Sequence, residues 1–120
     1  EASKVNNLSE INHIFIKGIC FFLNIQTKIS LSTDYNLGEG KTERLINLCK
    51  QSNSDVYISG PSAKDYLDET LFIQNNIKLQ WMDYSGYSEY QQLHPPFEHG
   101  VSILDLIFNE GKNARNFLKY

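Results

Sequence analysis

The chain has 120 residues, 11 basic and 14 acidic side chains, a formal net charge of −3 and 41% hydrophobic residues. This length suits one domain with one core, and the apolar fraction excludes a disordered chain. The acidic balance excludes a general binder of the phosphate backbone, so no nucleic-acid partner is expected, and no apolar run approaches the roughly 18 residues of a membrane span.

The first expected element is a helix over residues 10–24, with Ser9 as its N-cap. Leu8, Ile11, Phe15, Gly18 and Phe22 form one apolar stripe, while Ile16 and Phe21 fall well off it. The pattern predicts a helix covered on more than one side, which a chain of this size struggles to supply alone. A short strand is expected over 28–33, then a polar loop with two glycines, then a helix over 41–52 with Leu45, Leu48 and Cys49 inward. Residues 56–59 read as a second strand, which Gly60-Pro61 ends. Ser62 with Asp65 has the spacing of a capping box, opening a helix to about residue 75 with a break near Asp68. Alternating Ile77, Leu79 and Trp81 give a third strand over 77–82. A long aromatic and polar loop over 83–100 follows, then a helix over 103–109 opened by Ser102 and Asp105, and a short terminal helix over 113–119. The alternation of strands and helices predicts an α/β fold: a small two- or three-layer domain with a short, mainly parallel, three-stranded sheet flanked by helices.

In open parallel sheets ligands collect beyond the carboxyl ends of the strands. Ser32-Thr33-Asp34, Ser59-Gly60-Pro61-Ser62 and the segment from Asp83 to Tyr90 fall there. Gly60 allows close backbone approach, and the free N–H groups at the start of the third helix attract an anion. A plain turn and cap explains the same residues. Tyr84, Tyr90 and Gln91 suit a polar ligand such as a sugar. His94 and His99 are the candidates for general acid–base work near neutral pH. Their spacing is no known metal motif, and neither a metal nor a cofactor is expected. Asp105 is explained by capping and the helix dipole; a catalytic role for it requires a histidine such as His99 within hydrogen-bond reach. Cys20 and Cys49 lie in apolar-periodic contexts, which favours two core thiols over a disulfide.

Taken together, an ordered set of short segments resembles the WbqC-like family. It begins with Leu23-Asn24-Ile25-Gln26-Thr27 and runs through Lys41-Thr42-Glu43-Arg44-Leu45, Ser59-Gly60, Tyr66-Leu67, Phe72, Ile77, Tyr84, Tyr90-Gln91 and Phe97. It ends on Ser102-Ile103-Leu104-Asp105-Leu106 and Phe108-Asn109-Glu110-Gly111. The resemblance implies a bacterial, cytoplasmic protein of surface-polysaccharide (O-antigen) biosynthesis. It also implies an acyl- or aminoacyl-transferase acting on an amino sugar, with a nucleotide-sugar or amino-sugar ligand. The alternative is a non-catalytic sugar-binding or assembly module of the same pathway. Members of the family open with an aromatic segment of the type QPYFFPYIGYF, which is absent here. With Glu1 as an unusual natural start, the expectation is the carboxyl-terminal part of a longer protein, partnered by an amino-terminal half or by a second copy.

Overall fold

The computed structural model describes residues 6–119. In chain order the elements are α1 (Leu8–Phe22), α2 (Lys41–Gln51), β1 (Val56–Ser59), α3 (Glu69–Gln74), β2 (Lys78–Trp81) and α4 (Ile103–Glu110). Turns of 3-10 helix lie at Ser32–Asp34, Pro61–Asp65 and Gly111–Phe117. The chain divides into two compact units. An inserted unit spans Ile29–Ser85, and a split unit is built from the chain up to Lys28 and from Gly86 onward.

The inserted unit carries the sheet. β1 and β2 pair in parallel, with Val56 opposite Lys78 and Ser59 opposite Trp81. Bonds from Lys78 N to Asp55 O and from Met82 N to Ser59 O extend the ladder at both ends. The alternation along each strand turns Tyr57, Ser59, Leu79 and Trp81 inward and leaves Val56, Ile58, Lys78 and Gln80 exposed. The inner face meets a core of Ile46, Cys49, Ala63, Leu67, Phe72 and Ile77. Phe72 is fully buried and stacks on Tyr57 with ring centroids 5.4 Å apart. Buried Thr42 ties two helices together, because its Oγ1 accepts from the backbone N–H of Asp68. Asp68 in turn caps α3 through Thr70 N and Leu71 N.

The sheet has two strands, not the three expected. Residues 28–31 are not in a strand, and Ser32–Asp34 closes into a 3-10 turn. Asp34 explains this locally: its carboxylate accepts from Leu31 N at 2.9 Å, offering the backbone an alternative to a ladder. The helix expected from Ser62 is also different. Gly60 precedes a 3-10 turn with Pro61 at its start, and the α-helix begins only after Asp68.

In the split unit Asn7 caps α1, accepting from Ser9 N and Glu10 N, so the helix starts two residues before the position a Ser9 cap predicts. Ser102 caps α4 through Leu104 N, as the sequence predicts. A core of Leu23, Leu106 and Ala114 gathers Ile19, Ile25, Tyr90, Ile103, Ile107 and Phe117. Arg115 Nη1 reaches Leu23 O at the end of α1, where a cation suits the helix dipole. α1 itself has no buried residue, and Phe15, Ile16, Phe21 and Phe22 are exposed. The described residues of this chain do not supply the cover on more than one side that the pattern predicts for this helix. A groove of about 320 Å³ runs along it between Phe15, Gly18, Phe22 and Leu104. No helix among the described residues is long and apolar enough to cross a membrane.

Candidate functional site

The residues singled out from sequence divide between the units. Asp34, Ser59, Gly60, Ser62 and Tyr84 belong to the inserted unit; Tyr90, Gln91, His94 and His99 belong to the split unit.

In the inserted unit, Ser59 and Trp81 end the two strands side by side, so Gly60 and Tyr84 lie just beyond the same carboxyl end. The Tyr84 hydroxyl is 3.5 Å from where a Cβ on Gly60 would stand, an ordinary contact distance. Gly60 has φ −68°, which any residue adopts. Ser62 is exposed, and the helix it was expected to open is a single 3-10 turn with little aligned dipole. Asp34 is exposed and holds its own turn. Ser59 is half-buried on the same inner face of β1 as Tyr57. Burial pushes the Tyr57 phenol above its usual range, with the Ser59 side chain pulling the other way. Burial likewise pushes the Cys49 thiol up, which makes it a poor nucleophile. Both cysteines are free.

A cavity of about 420 Å³ opens in the same unit between α2, β1 and the loop that precedes α2. Leu45, Leu48 and the rings of Tyr57 and Tyr66 line it, with Lys41 and Arg44 contributed by the first turn of α2. The loop wall is fixed by side chains of α2. Gln51 forms a pair of bonds with the backbone of Asn36, at 3.0 and 2.7 Å, and Asn47 Nδ2 donates to Leu37 O at 2.9 Å.

In the split unit the aromatic loop is folded against α4. The Tyr90 hydroxyl donates to Asp105 Oδ2 at 2.6 Å, and Gln92 Nε2 donates to the same oxygen at 3.0 Å. Gln92 also bridges the loop: its Oε1 accepts from Glu98 N at 2.8 Å and its Nε2 donates to Glu98 O at 3.0 Å. Tyr90 meets Phe97 and Phe117 edge-on, and Phe97 meets the ring of His99 at 4.7 Å. Burial first, and the bond to Asp105 second, raise the Tyr90 phenol above its ordinary value. The Asp105 carboxylate is thus taken by Tyr90 and Gln92, where the sequence suggested a capping box or a histidine partner. His94 and His99 are exposed, and neither has a hydrogen-bond or ion-pair partner among the described residues. Gln91 lines a shallow pocket with Leu93, Asn109 and Glu110. Among the described residues no group of three or more His, Cys, Asp or Glu is placed to hold a metal ion.

Comparison with known proteins adds one decisive observation. The model of the WbqC-like protein family matches residues 2–117. The chain belongs to the WbqC-like family. It is 49% identical over 114 residues to the uncharacterised protein Rv1507c of Mycobacterium tuberculosis (strain ATCC 25618 / H37Rv), covering 95% of this chain and 49% of that protein. The chain therefore spans about half the length of the curated relative it matches. No solved structure matches it.

Two features of this WbqC-like chain escape a reading of the candidate residues one by one. The cavity beside Lys41 and Arg44 is not marked by any candidate residue of the sequence reading, although both residues lie in a segment that carries the family resemblance. Their spacing of three, which puts side chains on one face of a helix, was the available signal. The Tyr90–Asp105 bond was also missed. It joins residues 15 apart, and no local pattern encodes that pairing.

Proposed function

We propose that this chain serves the assembly of a bacterial surface polysaccharide in the cytoplasm. The observation that carries the reading is family membership across residues 2–117. The loop from Tyr84 to His99, rich in tyrosine and glutamine, supports a sugar-bearing ligand. In the transferase form of this reading, the amine of an amino sugar attacks the carbonyl of an activated acyl or aminoacyl donor. The C–N bond forms, the bond to the donor's leaving group breaks, and His94 or His99 takes the amine proton. Ser59, Gly60, Ser62, Tyr84 and Asp34 are the candidate ligand contacts of the inserted unit, and Tyr90 and Gln91 those of the split unit, each set considered by itself. The open apolar face of α1 is the place for an amino-terminal half of the protein or a second copy.

A second reading, a non-catalytic binding module of the same pathway, is favoured by one observation. Neither histidine is oriented by a carboxylate among the described residues, and Asp105 is otherwise engaged. The test is acyl transfer to amino sugars by the full-length protein and by its His94→Ala and His99→Ala variants. Loss of turnover in either variant with retained ligand binding supports the transferase. Binding of a nucleotide sugar without turnover by the parent supports the module. Absence of both activities overturns the polysaccharide reading.

A further inference from the structure

The geometry points to a ligand site in the cavity of the inserted unit, one that takes a phosphorylated sugar, either free or as part of a nucleotide. The space of about 420 Å³ falls within the range of small-molecule pockets, roughly 300–1,000 Å³. Its floor is apolar and aromatic: Leu45 and Leu48 from α2, Tyr57 from β1, and Tyr66 after the turn that follows β1. Tyr57 is held in place by stacking on the fully buried Phe72. A flat or puckered ring is the group that such walls accept.

The first turn of α2 supplies the charge. Lys41 and Arg44 both line the cavity, both are exposed, and neither has an ion-pair partner among the described residues. Glu39 and Glu43 do not line the space, although the Glu43 carboxylate rests against Gly40 at its edge. A guanidinium and an ammonium three residues apart make a clamp for a phosphate, the first by its planar fork and the second as a point charge. The loop wall at Leu37 is tied to α2 by protein bonds alone, because Asn47 and Gln51 hold the backbone at Asn36 and Leu37. Gly40 lies between wall and helix at φ 88°, and a Cβ there would collide with the Glu43 carboxylate. A rigid wall, an aromatic floor and paired cations at one side together describe recognition of a ring that carries a phosphate.

The inference deepens the polysaccharide reading and rests on it for the sugar. The test is calorimetry on the chain with uridine diphosphate, adenosine diphosphate, N-acetylglucosamine 1-phosphate, uridine diphosphate N-acetylglucosamine and inorganic phosphate. The same titrations are run on Arg44→Ala, Lys41→Ala and Arg44→Lys, with circular dichroism as the check on folding. The expected result is binding of a phosphorylated ring compound that weakens about tenfold in each alanine variant, with partial recovery in Arg44→Lys. Which compounds bind tells a nucleotide from a free sugar phosphate. Unchanged binding in both alanine variants, or equal binding of inorganic phosphate, overturns the site, and so does no binding at all. In that last case the polysaccharide reading is left to its own transfer assay. Binding of a nucleoside diphosphate with no binding of either N-acetylglucosamine compound overturns the amino-sugar part of the assignment.

Discussion

The Tyr90 hydroxyl donates a hydrogen bond to Asp105 across 2.6 Å, and this bond fixes the middle of the aromatic loop to the first turn of α4. Gln92 shares the same carboxylate oxygen and holds the far side of the loop at Glu98. The loop is therefore anchored by one acid and bridged by one amide.

Tyr90→Phe removes that hydroxyl and leaves the ring in its aromatic contacts. A hydrogen bond to a charged group contributes about 1.5–3 kcal/mol. The variant is expected to unfold at lower urea by a corresponding amount, with faster hydrogen exchange at the Glu98 amide. A pH dependence follows from the raised Tyr90 phenol. Below the ordinary tyrosine value of 10.0 both folded and unfolded chains hold the proton, and the contribution is fully present. As pH rises past that value the unfolded chain loses its proton first, so stability falls until the folded phenol also ionises. Urea midpoints measured from pH 8 upward should show this alkaline loss in the parent and a smaller one in Tyr90→Phe.

Phe72→Ala empties the centre of the inserted unit. The side chain is fully buried and supports Tyr57 by stacking. A cavity of this kind costs about 3–5 kcal/mol, comparable with the whole stability of a small domain. The expected outcome is loss of the cooperative unfolding step reported by Trp81 fluorescence. Retention of a step with an unshifted midpoint would contradict the packing described.

Two glycines make opposite predictions. Gly40→Ala forces a side chain into the left-handed region and towards Glu43, at a cost of about 1–2 kcal/mol. Gly60→Ala meets only the Tyr84 hydroxyl at contact distance and keeps an ordinary φ, so its effect should stay within about 0.5 kcal/mol. Thermal melts of the two variants side by side check this.

Local chemistry was the legible part of the fold. The strand at Val56–Ser59, the break at Asp68 and the Ser102 cap all follow from signals within a few residues of each other. The expected strand over 28–33 failed because strand formation needs a partner, and alternation at Ile29 and Leu31 cannot supply one. Spacing located Ser102 and Asp105 at a helix start, but the destination of the carboxylate depended on Tyr90, far along the chain. The candidate residues could be named from type and loop length. Their division between two units, and the cavity beside Lys41 and Arg44, arise from packing that no short window contains.

The insertion of one unit within the other imposes an order of events during synthesis. The inserted unit is continuous, so all of its core residues are available once Ser85 has been made. Leu23 is translated before any of them, yet its core neighbours Leu106 and Ala114 come last. A collapsed insert would bring the two flanking segments closer than a flexible loop of the same length, which lowers the entropic cost of joining them. Leu23, the first buried residue along the described chain, is thus the one that waits longest for its cover.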